Sequence, residues 1–243
     1  MENDTIIIGI LDDDPSKITN IKGRLRHKYK IEEFNDNEKI FALKQIELYK
    51  NYTIKIISLT LDKHTDATSI VTEVKQNNID CLIIDYKLNS FVSTYLNNGV
   101  ELSKQILQHL NNFPLLILTS YEEELNQKEI FEPFQIVDYI AFTHSKSYSL
   151  MITNKLIDTV INYNKNQTSL EEELKTLIDI PYEKRNAEID SRILKIDSQL
   201  EHRICGESAI PEKLKKDLNE NKFEDLLNKL DTIIRKYEND DGK

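Results

Sequence analysis

Residues 81–90 read CLIIDYKLNS: an apolar run, one carboxylate at Asp85, then an abrupt change to polar residues. An apolar run of this length fits a strand buried on both faces, as at the centre of a parallel α/β sheet. Asp85 then stands at the strand's carboxyl end, where open α/β sheets place their ligand sites. A lone acid in that position equally starts a turn or caps a helix. Its meaning depends on which other residues reach the same edge.

Working outward, IIIGIL at 6–11 reads as a first buried strand ending in DDDPSK. There Asp14 or Ser16 caps a helix with Pro15 in its first turn, running from about Ser16 towards His27. Between Tyr29 and Leu61, YKIEEF and YTIKIISLTL both read as strands, with helical DNEKIFALKQIELYK between them. IKIISLTL is taken as the second sheet strand and the earlier pair as an inserted element. Residues 67–77 are helical and precede the strand at 81–84. Polar NSFVSTYLNN leads through Gly99 into VELSKQILQHL, with Val100, Leu102, Ile106, Leu107 and Leu110 on its apolar side. A strand follows at 115–118 in PLLILTS, then IVDYIAF as the fifth strand, then a helix over 149–163. Strands alternating with helices imply an α/β fold with a doubly wound five-stranded parallel sheet. Right-handed crossovers bring every strand's carboxyl end to one edge.

Beyond Asn164 the pattern is helical. Leu170, Leu174 and Leu177, then Ile189, Ile193, Ile196, Leu200 and Ile204, recur at three- and four-residue spacing. Pro181 breaks the first stretch, and CGESAIPEK at 205–213 turns the chain before PEKLKKDLNE and FEDLLNKLDTIIRKYE. The expected organisation is an α/β domain over 1–163 and a helical region over 164–243, the latter suited to dimerisation, as a coiled coil, or to docking a partner.

Composition narrows the function classes. The chain has 243 residues and a net charge of -10, with 42 acids against 32 bases. Without a Lys/Arg stripe, nonspecific nucleic-acid binding is disfavoured. Cys81 and Cys205 lie far apart with no CxxC, which suggests neither a disulfide framework nor a zinc site. The five histidines are scattered and none pairs at helical metal spacing. The N-terminal apolar run is too short for a signal peptide, and no stretch reaches the ~18 apolar residues of a membrane helix. The expectation is a soluble, cytoplasmic protein with no membrane partner.

The acids after the first strand and Asp85 after the third would converge at one sheet edge. Their repulsion in water-poor surroundings is costly unless a cation neutralises them. Mg²⁺ suits such a site, because it takes oxygen ligands and is commonly held by one or two carboxylates with a phosphate oxygen. A carboxylate can itself act as nucleophile and form an aspartyl phosphate. The Thr119 hydroxyl and the Lys146 ammonium would then contact the phosphoryl oxygens.

ILDDDPSK, LIIDYKL, NGVELSKQIL, PLLILTSY and SKSYSL stand in the order of the response-regulator receiver (CheY-like) family of two-component signalling, which the chain resembles over about residues 6–163. The resemblance implies that Asp12 and Asp13 bind Mg²⁺ together with Asp85, that Asp85 is the phosphoacceptor, that Thr119 is the switch hydroxyl and that Lys146 is the family's lysine. The lysine assignment rests on the register of KSYSL. The phosphodonor would be a histidine kinase or a kinase-like ATPase. The readout would be altered contacts with a downstream protein partner or with a second subunit of a homodimer. A DNA-binding output is not expected, because no helix-turn-helix with a basic recognition helix is visible. The sequence departs from the family at Ser147, where proline is usual, and at Thr143, where an aromatic residue is usual. YIAFTHSK is longer than an ordinary fifth strand, and residues 29–61 and the loop after Asp85 are extended.

Two other readings compete. In one, the same fold is a phosphorylation-independent pseudo-receiver, an interaction or dimerisation module such as occurs in bacterial conflict systems. In the other, Asp12 and Asp14 form the DxD of an enzyme resembling haloacid-dehalogenase phosphatases, completed by Thr119 and Lys146, which leaves Asp85 without a role. The reading favoured is a self-phosphorylating receiver rather than a turnover enzyme.

Overall fold

The computed structural model describes residues 4–59, 66–88, 98–120, 136–205, 209–210 and 213–215. The chain divides into two compact units, Met1–Asn166 and Gln167–Lys243. The first holds five parallel strands, β1 (Asp4–Leu11), β2 (Tyr52–Leu59), β3 (Cys81–Asp85), β4 (Leu115–Thr119) and β5 (Ile136–Asp138), in the spatial order β2-β1-β3-β4-β5. That order is the flavodoxin-like doubly wound sheet found in receivers. Helices α1 (Pro15–Arg26), α2 (Asp36–Tyr49), α3 (Ala67–Gln76), α4 (Gly99–His109), α5 (Tyr139–His144) and the first part of α6 (Lys146–Ile178) accompany it.

The period of two along each strand sorts side chains to the two faces. Leu82, Ile84, Leu115 and Ile117 join Ile70, Val74, Val100 and Ile106 on the α3/α4 side. Ile8, Ile10, Ile83, Leu116 and Leu118 join Ile21, Leu25, Leu156 and Val160 on the α1/α6 side. Both faces being covered explains why the central strands are continuously apolar rather than alternating. A smaller cluster of Tyr29, Phe34, Ala42 and Leu150 seats α2.

The region that reads as two strands flanking a helix folds differently in part. YKIEEF carries no strand; Ile31–Glu33 form one 3₁₀ turn, because the Glu33 carboxylate accepts from the Lys30 N–H at 2.9 Å and closes the chain locally. The helix and the second strand follow as α2 and β2, so α2 is an extra helix between the first two sheet strands. The fifth strand is also shorter than IVDYIAF suggests. It stops at Asp138, whose side chain accepts from the Ala141 N–H and caps α5. Strand and helix start therefore share one residue, and α6 begins at Lys146 rather than at Ser149.

The second unit contains the later part of α6 and α7 (Ala187–Cys205). Arg185 donates to the carbonyls of Ile180 and Ile178, satisfying acceptors left open at the end of α6. Arg192 grips Glu173 with two bonds, at 2.6 and 2.7 Å. Ile196 is fully buried. The helices expected over 211–220 and 223–238 lie outside the described residues except at 213–215. No helix among the described residues is long and apolar enough to cross a membrane.

Candidate metal and phosphoryl site

β1 pairs with β3 up to Leu11 and Ile84. Asp12 and Asp85 are each the next residue, so the ladder itself delivers both acids to one level of the carboxyl edge. Oxygens of Asp12, Asp13 and Asp85 lie within 4.8 Å of one another, and all three residues are buried. Asp12 Oδ1 accepts the Asp14 N–H at 2.8 Å. Its Oδ2 is buried without a hydrogen-bond partner among the described residues. Burial first, and the neighbouring Asp85 second, push the Asp12 carboxyl up to about 7. Burial also raises Asp85, against the opposing pull of Lys17. An orphaned carboxylate oxygen beside two further acids is the donor set that a hard, oxygen-seeking divalent cation fits.

Asp85 is held by both oxygens. Oδ1 accepts the Lys17 ammonium at 3.1 Å, and Oδ2 the Lys87 N–H at 3.2 Å. Lys17 is the third residue of α1, whose N-cap, Asp14, accepts from the amides of Ser16 and Lys17. Burial works against its charge, but Asp85 and Asp12 raise its affinity for the proton above the ordinary lysine value. Its ammonium also stands 5.6 Å from the centre of the Tyr139 ring. Behind Asp85, the Gly99 N–H donates to Tyr86 O at 2.8 Å. A Cβ on Gly99 would sit 2.1 Å from the Asp85 carbonyl oxygen. The chain entering α4 thus passes against the backbone of the acid, at a distance only glycine allows.

Thr119 ends β4, fully buried, one residue beyond Leu118, the ladder partner of Asp85. Lys146 does not join the edge. Its ammonium lies 3.3 Å from Glu33 and the side chain is about half exposed (46%). The three-residue β5 and the helix α5 use up the chain that would have carried it there. Glu33 is held down to about 2 by the Lys30 N–H and His27, with Lys146 adding to them. Thr143 bonds back to Tyr139 O within α5, while its neighbour Phe142 is buried in the core. His144 is exposed and bonds to Ile140 O. The residue that the sequence reading missed is Lys17. It sits inside the quoted DDDPSK, but its turn towards Asp85 follows from how α1 lies on the sheet.

No family model and no curated protein matches the chain. Among solved structures it is similar to the anti-anti-sigma factor PhyR from Bartonella quintana at 14% identity and TM-score 0.39, over 68% of this chain and 51% of that one. It is similar to the response regulator PhyR from Brucella abortus at 12% identity and TM-score 0.39, over 69% and 52%. The lysine decarboxylase LdcF from Francisella novicida matches at 12% identity and TM-score 0.37, over 75% and 21%. The chain spans about half the length of the PhyR structures. At these TM-scores the likenesses add nothing to the strand order, which by itself defines the receiver-like fold.

Proposed function

We propose that the chain is a response-regulator-like signalling protein in which Asp85 accepts a phosphoryl group with Mg²⁺ held by Asp12, Asp13 and Asp85. The observation carrying this reading is the clustered, buried carboxylates with an orphaned oxygen on Asp12 and an ammonium on Asp85. An Asp85 oxygen forms the new bond to phosphorus while the donor's P–N bond breaks and its electron pair leaves on the imidazole. Mg²⁺ supplies charge neutralisation on the phosphoryl oxygens when bound. Lys17 takes the place expected for Lys146: released from the carboxylate, its ammonium turns to the phosphoryl oxygens. Thr119 supplies a hydroxyl at the same edge. A histidine kinase or kinase-like ATPase is the donor. Residues 164–243 carry the output to a downstream protein or a second copy of the chain.

Intact-mass analysis after incubation with acetyl phosphate and Mg²⁺ tests this. One added phosphoryl group is expected in the wild type, none in Asp85→Asn, and a severalfold lower yield in Lys17→Ala than in Lys146→Ala. No Mg²⁺-dependent adduct on the wild type would overturn the reading.

One observation favours the pseudo-receiver instead: the Lys17 ammonium lies 3.1 Å from Asp85 and offsets its charge. That reading requires Mg²⁺ affinity no better in the wild type than in Asp12→Asn, a titration that calorimetry can make directly.

A further inference from the structure

On the other side of the unit, α2 leaves a cavity of about 240 Å³ between itself, the end of α1, β2 and α6. It is open to solvent where Arg26, Lys28 and Thr53 are exposed, and it is large beside one water. At a liquid share of about 30 Å³ per water, it has room for several. Its body is apolar, with Leu25, Ile46, Ile54 and Ile157 in the walls together with Tyr49 and Tyr52. The Tyr49 and Tyr52 ring centres are 6.1 Å apart and tilted by 51°. The Tyr49 hydroxyl is committed to Asp158. The amides of Gln45 and Asn154, bonded to each other at 2.6 Å, add one polar strip.

The charged side chains that line this cavity are basic. Arg26, Lys28 and Lys50 line it beside His27, and no carboxylate does among the described residues. Lys50 is paired with Glu47 and His27 with Glu33. Arg26 and Lys28 have no ion pair among the described residues. An apolar, tyrosine-walled space beside two uncommitted cations matches a ligand with a flat ring and one negative charge. Rings meet aromatic walls favourably edge-on or offset, and charge-assisted bonds to Arg and Lys fix the acidic end.

We propose that this cavity binds a small aromatic anion, its ring against the tyrosine-lined wall and its acidic group at Arg26 and Lys28. The proposal is independent of the phosphoryl site. The cavity exists because of the inserted helix α2, and Ile157 in its wall belongs to the helix that continues to Ile178.

The test is a titration of the full chain with 2-naphthoate, followed by the probe's own fluorescence, with naphthalene-2-methanol as the uncharged comparison. Saturable binding with Kd below about 1 mM is expected, weakened about tenfold or more for the alcohol and in the double variant Arg26→Glu, Lys28→Glu. Thr153→Trp fills the cavity and should abolish binding. Should that variant fail to fold, Thr53→Trp serves instead, because Thr53 lines the cavity and is exposed. Absence of saturable binding to the wild type overturns the proposal, as does affinity unchanged by charge reversal or by a folded tryptophan variant.

Discussion

Asp80 and Asp12 flank the same sheet at opposite ends, and both have carboxyls raised by burial. β1 begins four residues before its pairing with β3 starts at Ile8. The Ile7 N–H is left without a strand partner on that side, and Asp80 Oδ2 accepts it at 2.8 Å. Asn164 bonds to the same carboxyl. At the other end Asp12 Oδ2 has no hydrogen-bond partner among the described residues, and two more acids crowd it. A buried acid that completes a backbone is architecture; one crowded by other acids is a donor set that a cation fits. The difference lies in the partners, since burial is common to both.

Four substitutions break or sharpen that contrast. The largest effect belongs to Gly99→Ala, which drives a methyl into the Asp85 carbonyl; overpacking of this kind costs about 3 kcal/mol of unfolding free energy, read as a lowered urea midpoint, and should remove Mg²⁺ binding with it. A midpoint unchanged from wild type would mean the loop is not braced against Asp85. Asp80→Ala comes next, losing about 2 kcal/mol because the Ile7 N–H is stranded, with Mg²⁺ affinity untouched.

Asp12→Asn should have the opposite sign. Without divalent ions at pH 8 it gains on the order of 1 kcal/mol, since the buried charge is gone. The folded carboxyl titrates at about 7 against 3.8 for the free group, so between those values the folded state holds a proton that the unfolded chain has lost. Stability from this group therefore falls as pH rises through that interval, and the penalty is complete above about 7. Urea midpoints of wild type and Asp12→Asn should converge as pH drops towards 4 and separate towards pH 8; parallel curves would contradict the assignment. The smallest effect is Lys146→Ala. Its partner Glu33 is already held by a backbone N–H and His27, so neither the midpoint nor the acetyl phosphate adduct should change measurably.

The parts of this fold that are legible in sequence are those where local pattern and burial agree. CLIID and LLILT are apolar runs bounded by turns and became β3 and β4 with every residue buried. Asp12, Asp13 and Asp85 could be brought together on paper because a parallel sheet has one carboxyl edge. The start of the fifth strand was legible but its end was not, because IVDYIAF is apolar whether extended or helical, and only the Asp138 cap decides where β5 stops. Glu33 hid a turn for a similar reason: its carboxylate reaches back to a backbone amide, which no strand propensity records. Lys17 reaches Asp85 and Lys146 reaches Glu33 instead, because an ammonium on a long stem goes where the helix axis sends it, and the axis is set by tertiary packing.

The inserted helix has a consequence for how the chain is made. β1 is a central strand, yet its partners are distant: Ile6 awaits Ile54, and Ile8 awaits Cys81. Contacts of high sequence separation must meet the entropy of closing long loops before they return anything, and they form slowly. The run IIIGIL therefore has no strand partner until β2 at Tyr52–Leu59 has been made, and its second neighbour follows only at Cys81–Asp85, leaving an apolar segment exposed to other nascent chains during synthesis. Helix α2 lengthens that interval, and the acids that follow the run, DDD, are the charged residues next to it that discourage self-association meanwhile.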